Sequence, residues 1–223
     1  MRKLKFIALL ICLLAGFTFA DEYYWPRSYF VEAGFGIAAT KGDFNEKPVA
    51  GKDSAGVKGL IHPPALQFIA TPDFLLGVNL GAFSLGLGFQ YWNSEQTLAG
   101  FDNNSHKQDT RIWRASFEFT YNFFWPEFFQ IGTGLGYSYS SVKTSNAAIF
   151  DESEYDAEFM GSAVAFILNL HYYITDNLSM VPAVKVYENW FKNVHCSRVE
   201  NNDLDPYLWQ TFVLATVSLQ YQF

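Results

Sequence analysis

Three groups of residues carry types suited to chemistry. His195-Cys196-Ser197 sets an imidazole two residues from a hydroxyl, with Glu200 beyond, the parts of a nucleophile and its base. The signal is weak, because a serine two residues after a histidine is common and no orienting acid follows at a diagnostic spacing. Asp151, Glu152, Glu154, Asp156 and Glu158 concentrate carboxylate oxygens, which hard cations favour. The run lacks the Asp-x-Asn-x-Asp-Gly order of a calcium loop and reads as a solvated acidic face. The third group, Glu32, Arg114, Glu118, Lys185 and His171, is spread along the chain, so its meaning depends on the elements that carry it. There is no glycine-rich phosphate loop, no Cys/His cluster and no paired-carboxylate motif. No catalytic, cofactor-binding or metal-ligating residue is therefore assigned, and no cofactor is expected.

Those elements alternate with a period of two. Tyr29 to Ala39 places Val31, Ala33, Phe35 and Ile37 on one face. Leu66 to Leu80 keeps its apolar parity across Pro72 and reads as one bent strand, although a turn at Pro72-Asp73 would raise the strand count from eight to ten. Phe83 to Trp92, Trp113 to Phe123, Phe129 to Ser140, Glu158 to Tyr173 and a strand beginning Leu178 to Val186 repeat the pattern, and Tyr207 to Phe223 closes it. Long polar segments, 41–59, 93–109, 143–157 and 191–206, alternate with short turns near Gly81-Ala82, Trp125-Pro126-Glu127 and Thr175-Asp176-Asn177. Tyr29, Phe83, Phe123, Trp125, Phe129, Tyr172 and Phe223 lie toward the short turns. About ten residues along come Tyr91, Trp113, Tyr137, Tyr139, Trp190 and Trp209. Ten tilted residues rise on the order of 25 Å, the height of a lipid-facing apolar band.

The chain of 223 residues begins with Arg2, Lys3 and Lys5, an apolar run from Phe6 to Phe17, and Thr18-Phe19-Ala20 before Asp21. This reads as a signal peptide over residues 1–20, with the barrel domain over 21–223; Cys12 lacks the small residues of a lipoprotein anchor. Export moves the formal charge from −7 to about −10, against any nucleic-acid partner, which needs a basic footprint. Only Cys196 remains after processing, so no intrachain disulfide is expected.

With its even strand count, strand and loop rhythm, aromatic girdles and closing alternation, the chain resembles the small bacterial outer-membrane β-barrels of the OmpA/OmpX type. The resemblance implies an all-β, eight-stranded antiparallel up-and-down transmembrane barrel. It also implies outer-membrane lipids and lipopolysaccharide as surroundings, and the barrel-assembly machinery as a partner reading Leu219, Tyr221 and Phe223. No peptidoglycan-binding domain follows the last strand, so the cell-wall tether of some relatives is expected to be absent. Two other architectures compete. Phe74 to Phe89 is apolar enough for a membrane helix, with Gly77 and Gly81 at helix-dimer spacing, but Asn79 and Ser84 fall on period two with the glycines. A soluble barrel would carry Lys and Glu outside, whereas the second face here is mainly Gly, Ser, Thr, Asn and Gln.

In such a barrel the polar parity faces the lumen, where Glu32, Arg114, Glu118 and Lys185 form a structural polar network, because buried charges must be paired. Glu118 and Lys185 fall at similar heights, and His171 reads as a satisfied lumen residue. The expected function is structural or surface-interacting, through outer loops that meet an extracellular ligand, without catalysis. A small pore is the alternative. A lipid-A or phospholipid hydrolase is the second, since enzymes of that kind on this architecture use a His-x-Ser pair along a strand.

Overall fold

The computed structural model describes residues 28–45, 47–52, 57–64, 66, 68–99, 105–124, 129–150 and 153–223. The expected signal peptide and the Trp125-Pro126-Glu127 turn lie outside them. Eight long strands close a barrel: β1 (Ser28–Lys41), β4 (Phe68–Leu80), β5 (Phe83–Ala99), β6 (Ser105–Phe124), β7 (Phe129–Phe150), β8 (Ser153–Tyr173), β9 (Leu178–Cys196) and β10 (Val199–Gln222). All neighbours are antiparallel, and β1 pairs β10 from Phe30↔Gln222 to Lys41↔Thr211. Closure extends through the last residue, where the amides of Tyr29 and Phe223 donate to each other's carbonyls at 3.1 and 3.0 Å. Two short strands, β2 (Val49–Lys52) and β3 (Lys58–Ile61), form a hairpin docked on the outer end of β7. The helical alternative for Phe74 to Phe89 is replaced by the β4–β5 hairpin.

Pro72 does not turn the chain. It stands opposite Phe35 inside the β1–β4 ladder, and β4 first pairs β5 one residue later, at Asp73↔Gln90. Its missing N–H therefore falls where β4 has no second neighbour, the position sheets reserve for proline. Among the described residues the barrel wall has eight strands. Gly81, at φ 71°, makes the tight β4–β5 connection that a side chain would strain. The β8–β9 turn is held by Thr175, whose Oγ1 accepts the Leu178 amide at 3.1 Å, while Asn177 Nδ2 donates to the Gln222 carbonyl at 2.9 Å.

The long polar segments differ from expectation. The ladders continue far into them: β5–β6 to Ala99↔Ser105, β7–β8 to Phe150↔Ser153 and β9–β10 to Val199↔Cys196. Polar outward residues hid this continuation, because above the apolar band the outer face meets water while the inner face packs on itself. Leu66, expected to share the outward apolar parity, is buried in the interior, as is Trp92.

Candidate functional site

The interior consists of two stacked regions, and the inner one, toward the short turns, is charged. Lys185 of β9 donates to Glu118 Oε1 and Oε2 at 2.9 and 3.0 Å and pairs with Asp73 of β4 at 2.9 Å. Gln90 of β5 donates to Asp73 Oδ1 at 2.8 Å and accepts from Arg114 at 3.3 Å. Arg114 also donates to Asn189 Oδ1 at 3.1 Å, and Asn189 Nδ2 donates to the Gln210 carbonyl at 3.1 Å. One continuous network thus joins β4, β5, β6, β9 and β10 across the lumen. The ions are almost entirely buried, so each charge is retained by partners rather than by water.

Glu118, Lys185 and Arg114 lie in or beside this network, whereas Glu32 occupies another place. Glu32 is buried on β1 and borders a cavity of about 20 Å³ with Glu118, Lys185, Asn169 and His171, room for on the order of one water. The network also contains members that the sequence reading did not select: Asp73, Gln90, Asn189 and Tyr187. Asp73 was obscured by its neighbour Pro72, and Tyr187 by being aromatic on the polar parity. Tyr187 and Phe212 hold the Arg114 guanidinium between them, its carbon 4.2 and 4.3 Å from the two ring centroids, with Trp92 at 5.8 Å. These contacts stabilise a cation that no carboxylate touches within salt-bridge distance among the described residues.

Above Arg114 the interior turns apolar. Ile112, Val142, Phe159, Phe191, Val194 and Leu208 face inward from the strands, with Phe212 at their lower edge beside Arg114, and Ile61 and Phe150 close the outer end with Ala147 and Ala148. The centre is filled by a side chain from outside the barrel wall. After β1, Gly42 adopts φ 137°, where a Cβ would lie 2.5 Å from the Trp209 carbonyl oxygen. The chain thereby turns into a 3-10 turn, Asp43–Asn45, that drops Phe44 into the barrel mouth. Its ring stacks on Phe191 at 3.9 Å and meets Phe159 edge-on at 5.2 Å. Gly161 leaves the space for Phe191, since a Cβ there would approach that ring to 2.7 Å. This plug was not foreseen, because 41–59 reads as a polar loop with one phenylalanine.

The remaining chemical candidates are dispersed. At the β9–β10 hairpin His195 and Ser197 are exposed while Cys196 between them is buried; the Glu200 side chain lies outside the described residues. Of the acidic run, Glu158 accepts Ser141 Oγ at 2.5 Å and Asp156 accepts the Asn146 amide at 3.4 Å; Asp151 and Glu152 are not among the described residues. Among the described residues, no group of three His, Cys, Asp or Glu is arranged to hold a metal ion.

The exterior carries a continuous apolar band. Val31, Phe35, Leu76, Leu87, Phe117, Leu135, Phe166, Val217 and Leu219 are all exposed. They are bounded below by Tyr29, Tyr172, Tyr221 and Phe223, and above by Tyr91, Trp113, Tyr139 and Trp209. This is the surface of a strand barrel solvated by lipid.

No protein-family model matches the chain, and no curated protein matches it. Solved structures do. The chain is similar to Neisserial surface protein A, at 12% identity over 89% of this chain and 100% of that one, with a TM-score of 0.53. It is similar to the outer membrane protein OprG from Pseudomonas aeruginosa, at 11% identity over 88% and 95%, with a TM-score of 0.56. A major outer membrane protein from Thermus thermophilus aligns at 13% identity over 89% and 100%, with a TM-score of 0.51. At these identities the likeness is one of fold: a closed, eight-stranded antiparallel barrel of the outer-membrane type.

Proposed function

We propose that the protein resides in a bacterial outer membrane after removal of residues 1–20, and that it works through its outer surface rather than by conduction or catalysis. The observation that carries this reading is the filled outer half of the barrel. Phe44, packed between Phe159 and Phe191, stands where a passage would have to run, and the ion network lies below it. The ladders that continue beyond the apolar band, β5–β6, β7–β8 and β9–β10, are the elements available to a ligand outside the cell. Among their described side chains, Asp109, Arg111, Lys143, Glu154 and Asp156 are exposed, while Ile112, Val142 and Phe159 are packed inside.

Replacing the outer part of the β5–β6 ribbon, 94–109, by a tight turn should leave insertion intact and abolish binding to a host or neighbouring surface. Unchanged adhesion would count against the surface role. Reproducible single-channel steps in planar bilayers would overturn the non-conducting part. Assembly is read from the same geometry. Leu219, Tyr221 and Phe223 face outward, more than half exposed, at the seam where β10 meets β1. Deleting Phe223 should lower outer-membrane levels without abolishing refolding in detergent, and normal levels of the truncated chain would contradict a role as an assembly signal.

A further inference from the structure

The exterior of β9 and β10 carries a second arrangement, independent of the lumen. Going outward from the apolar pair Val186↔Val213, the next outward pair is Glu188↔Thr211, then Trp190↔Trp209. Thr211 Oγ1 lies 3.1 and 3.0 Å from the two Glu188 carboxylate oxygens and donates to that group. The two indoles are 5.9 Å apart at 52°. One step farther, Lys192 Nζ stands 5.5 Å from the centroid of Tyr207.

Lys192 is placed by a specific device. β8 pairs Met160 with Asn193 and Gly161 with Phe191, and β10 pairs Asp203 with Asn193 and Leu208 with Phe191. Lys192 is thus the extra residue of a bulge against β8, while in the β10 ladder it stands opposite the longer unpaired stretch 204–207, and bulges re-aim a side chain. Its side chain is exposed, and no ion pair engages it among the described residues. Lys41 of β1, also exposed, lies in register with Thr211 and puts a second cation at the flank.

We propose that this strip binds the headgroup of a phosphorylated glycolipid in the outer leaflet: phosphate at Lys192, sugar ring on the Trp190–Trp209 pair, and a hydroxyl or amide N–H of the acyl linkage at Glu188. The inference rests on the outer-membrane reading above. The order of chemistries along the strands is the order of such a lipid, with chains against Val184, Val186 and Val213 and charge farthest out. Glu188 decides between lipid classes. A carboxylate at the edge of the apolar band needs donors, and Thr211 supplies one. The ester region of a diacyl phospholipid offers only acceptors, whereas hydroxyl and amide groups offer the donors Glu188 lacks. Indole faces and a lysine suit the sugar and the phosphate in turn.

The folded full-length chain, in micelles doped with rough-type lipopolysaccharide, its dephosphorylated form or phosphatidylglycerol, tests this by native mass spectrometry of retained lipid. The parent should prefer the phosphorylated glycolipid. Lys192→Gln should cut its retention about fivefold, the effect of one surface cation, and erase the preference over the dephosphorylated form, while Lys143→Gln on the far girdle leaves both unchanged. Equal retention of phosphatidylglycerol, or parent-like behaviour of K192Q, overturns the inference. Heat-modifiable gel mobility verifies folding of each variant. A parent chain that inserts into bilayers without glycolipid preference sinks this site alone, and one that does not insert sinks the membrane reading with it.

Discussion

The inner and outer halves of the barrel interior are built by the same eight strands on opposite principles. In the inner half the exterior is apolar and the interior holds Asp73, Glu118, Lys185 and Glu32; in the outer half the interior is a phenylalanine-rich core around Phe44, while Asp109, Arg111, Lys143, Glu154 and Asp156 are exposed. The sheet changes solvent part-way up, and its two faces exchange polarity. Arg114 stands at the boundary. Its donors reach into the polar network at Gln90 and Asn189, and its flat faces meet Tyr187 and Phe212. A planar cation with an apolar face and polar edges suits that height.

If this division holds, the largest single effect belongs to the inner half. Lys185→Met leaves Glu118 and Asp73 buried without their cation and should destabilise the barrel by about 3–5 kcal/mol, read as a shift in the urea unfolding midpoint in detergent. Replacing the trio together, Asp73→Asn, Glu118→Gln and Lys185→Met, should recover most of that loss, because the unpaired charges vanish with the pair. A triple variant as weak as the single one would mean that the network does more than satisfy itself.

The outer half should fail differently. Phe44→Ala removes an aromatic ring from a closed core, worth about 3 kcal/mol at the low end for such a truncation. The low end is expected because the plug enters on a short turn whose loss need not open the ladders. Limited proteolysis should cut near 42–47 well before the barrel unfolds, and cooperative loss of the whole barrel would remove the distinction between plug and wall. At the boundary, Arg114→Gln should cost about 2 kcal/mol, the range of a desolvated cation–π contact, in the same urea measurement. A cost as large as that of K185M would place Arg114 inside the ion network rather than at its edge.

How much of this was legible follows the same division. In the inner half, period-two alternation reported the fold directly, because lipid outside and a polar lumen inside give each face one character; Glu118 stood out as a charge between Ser116 and Thr120, and Lys185 as one between Ala183 and Tyr187. Asp73 was hidden by Pro72, whose tolerance depends on where β4 leaves β5, a matter of register that one strand cannot reveal. In the outer half, alternation remains but its meaning reverses. Phe159, Phe191, Val194 and Leu208 are apolar on the lumen parity, with polar residues outside, so segments that are ladder read as loop. Phe44 was illegible for a different reason: it acts through its position over a barrel mouth assembled from residues more than a hundred positions away.

The smallest effect tests whether the outer half is dry. Thr110 and Thr144 are buried there with their hydroxyls 3.3 Å apart, each the other's partner. Thr144→Val alone strands one hydroxyl and should cost about 1 kcal/mol, while Val at both positions should be close to neutral, since two matched apolar groups leave no unmet donor. The inner half offers the counterpart: Asn122 Nδ2 donates to Ser84 Oγ at 2.9 Å, and Ser84 Oγ donates to Asn79 Oδ1 at 2.7 Å. Replacing both Ser84 and Asn122 by apolar residues takes the donor from Asn79 Oδ1, while Asn79 Nδ2 keeps its bond to Ser28 Oγ at 3.1 Å, and should cost more than valine at both outer positions. A cost near zero for Thr144→Val, measured by urea midpoints on the same background, would mean that water reaches the outer interior and that Phe44 does not seal it.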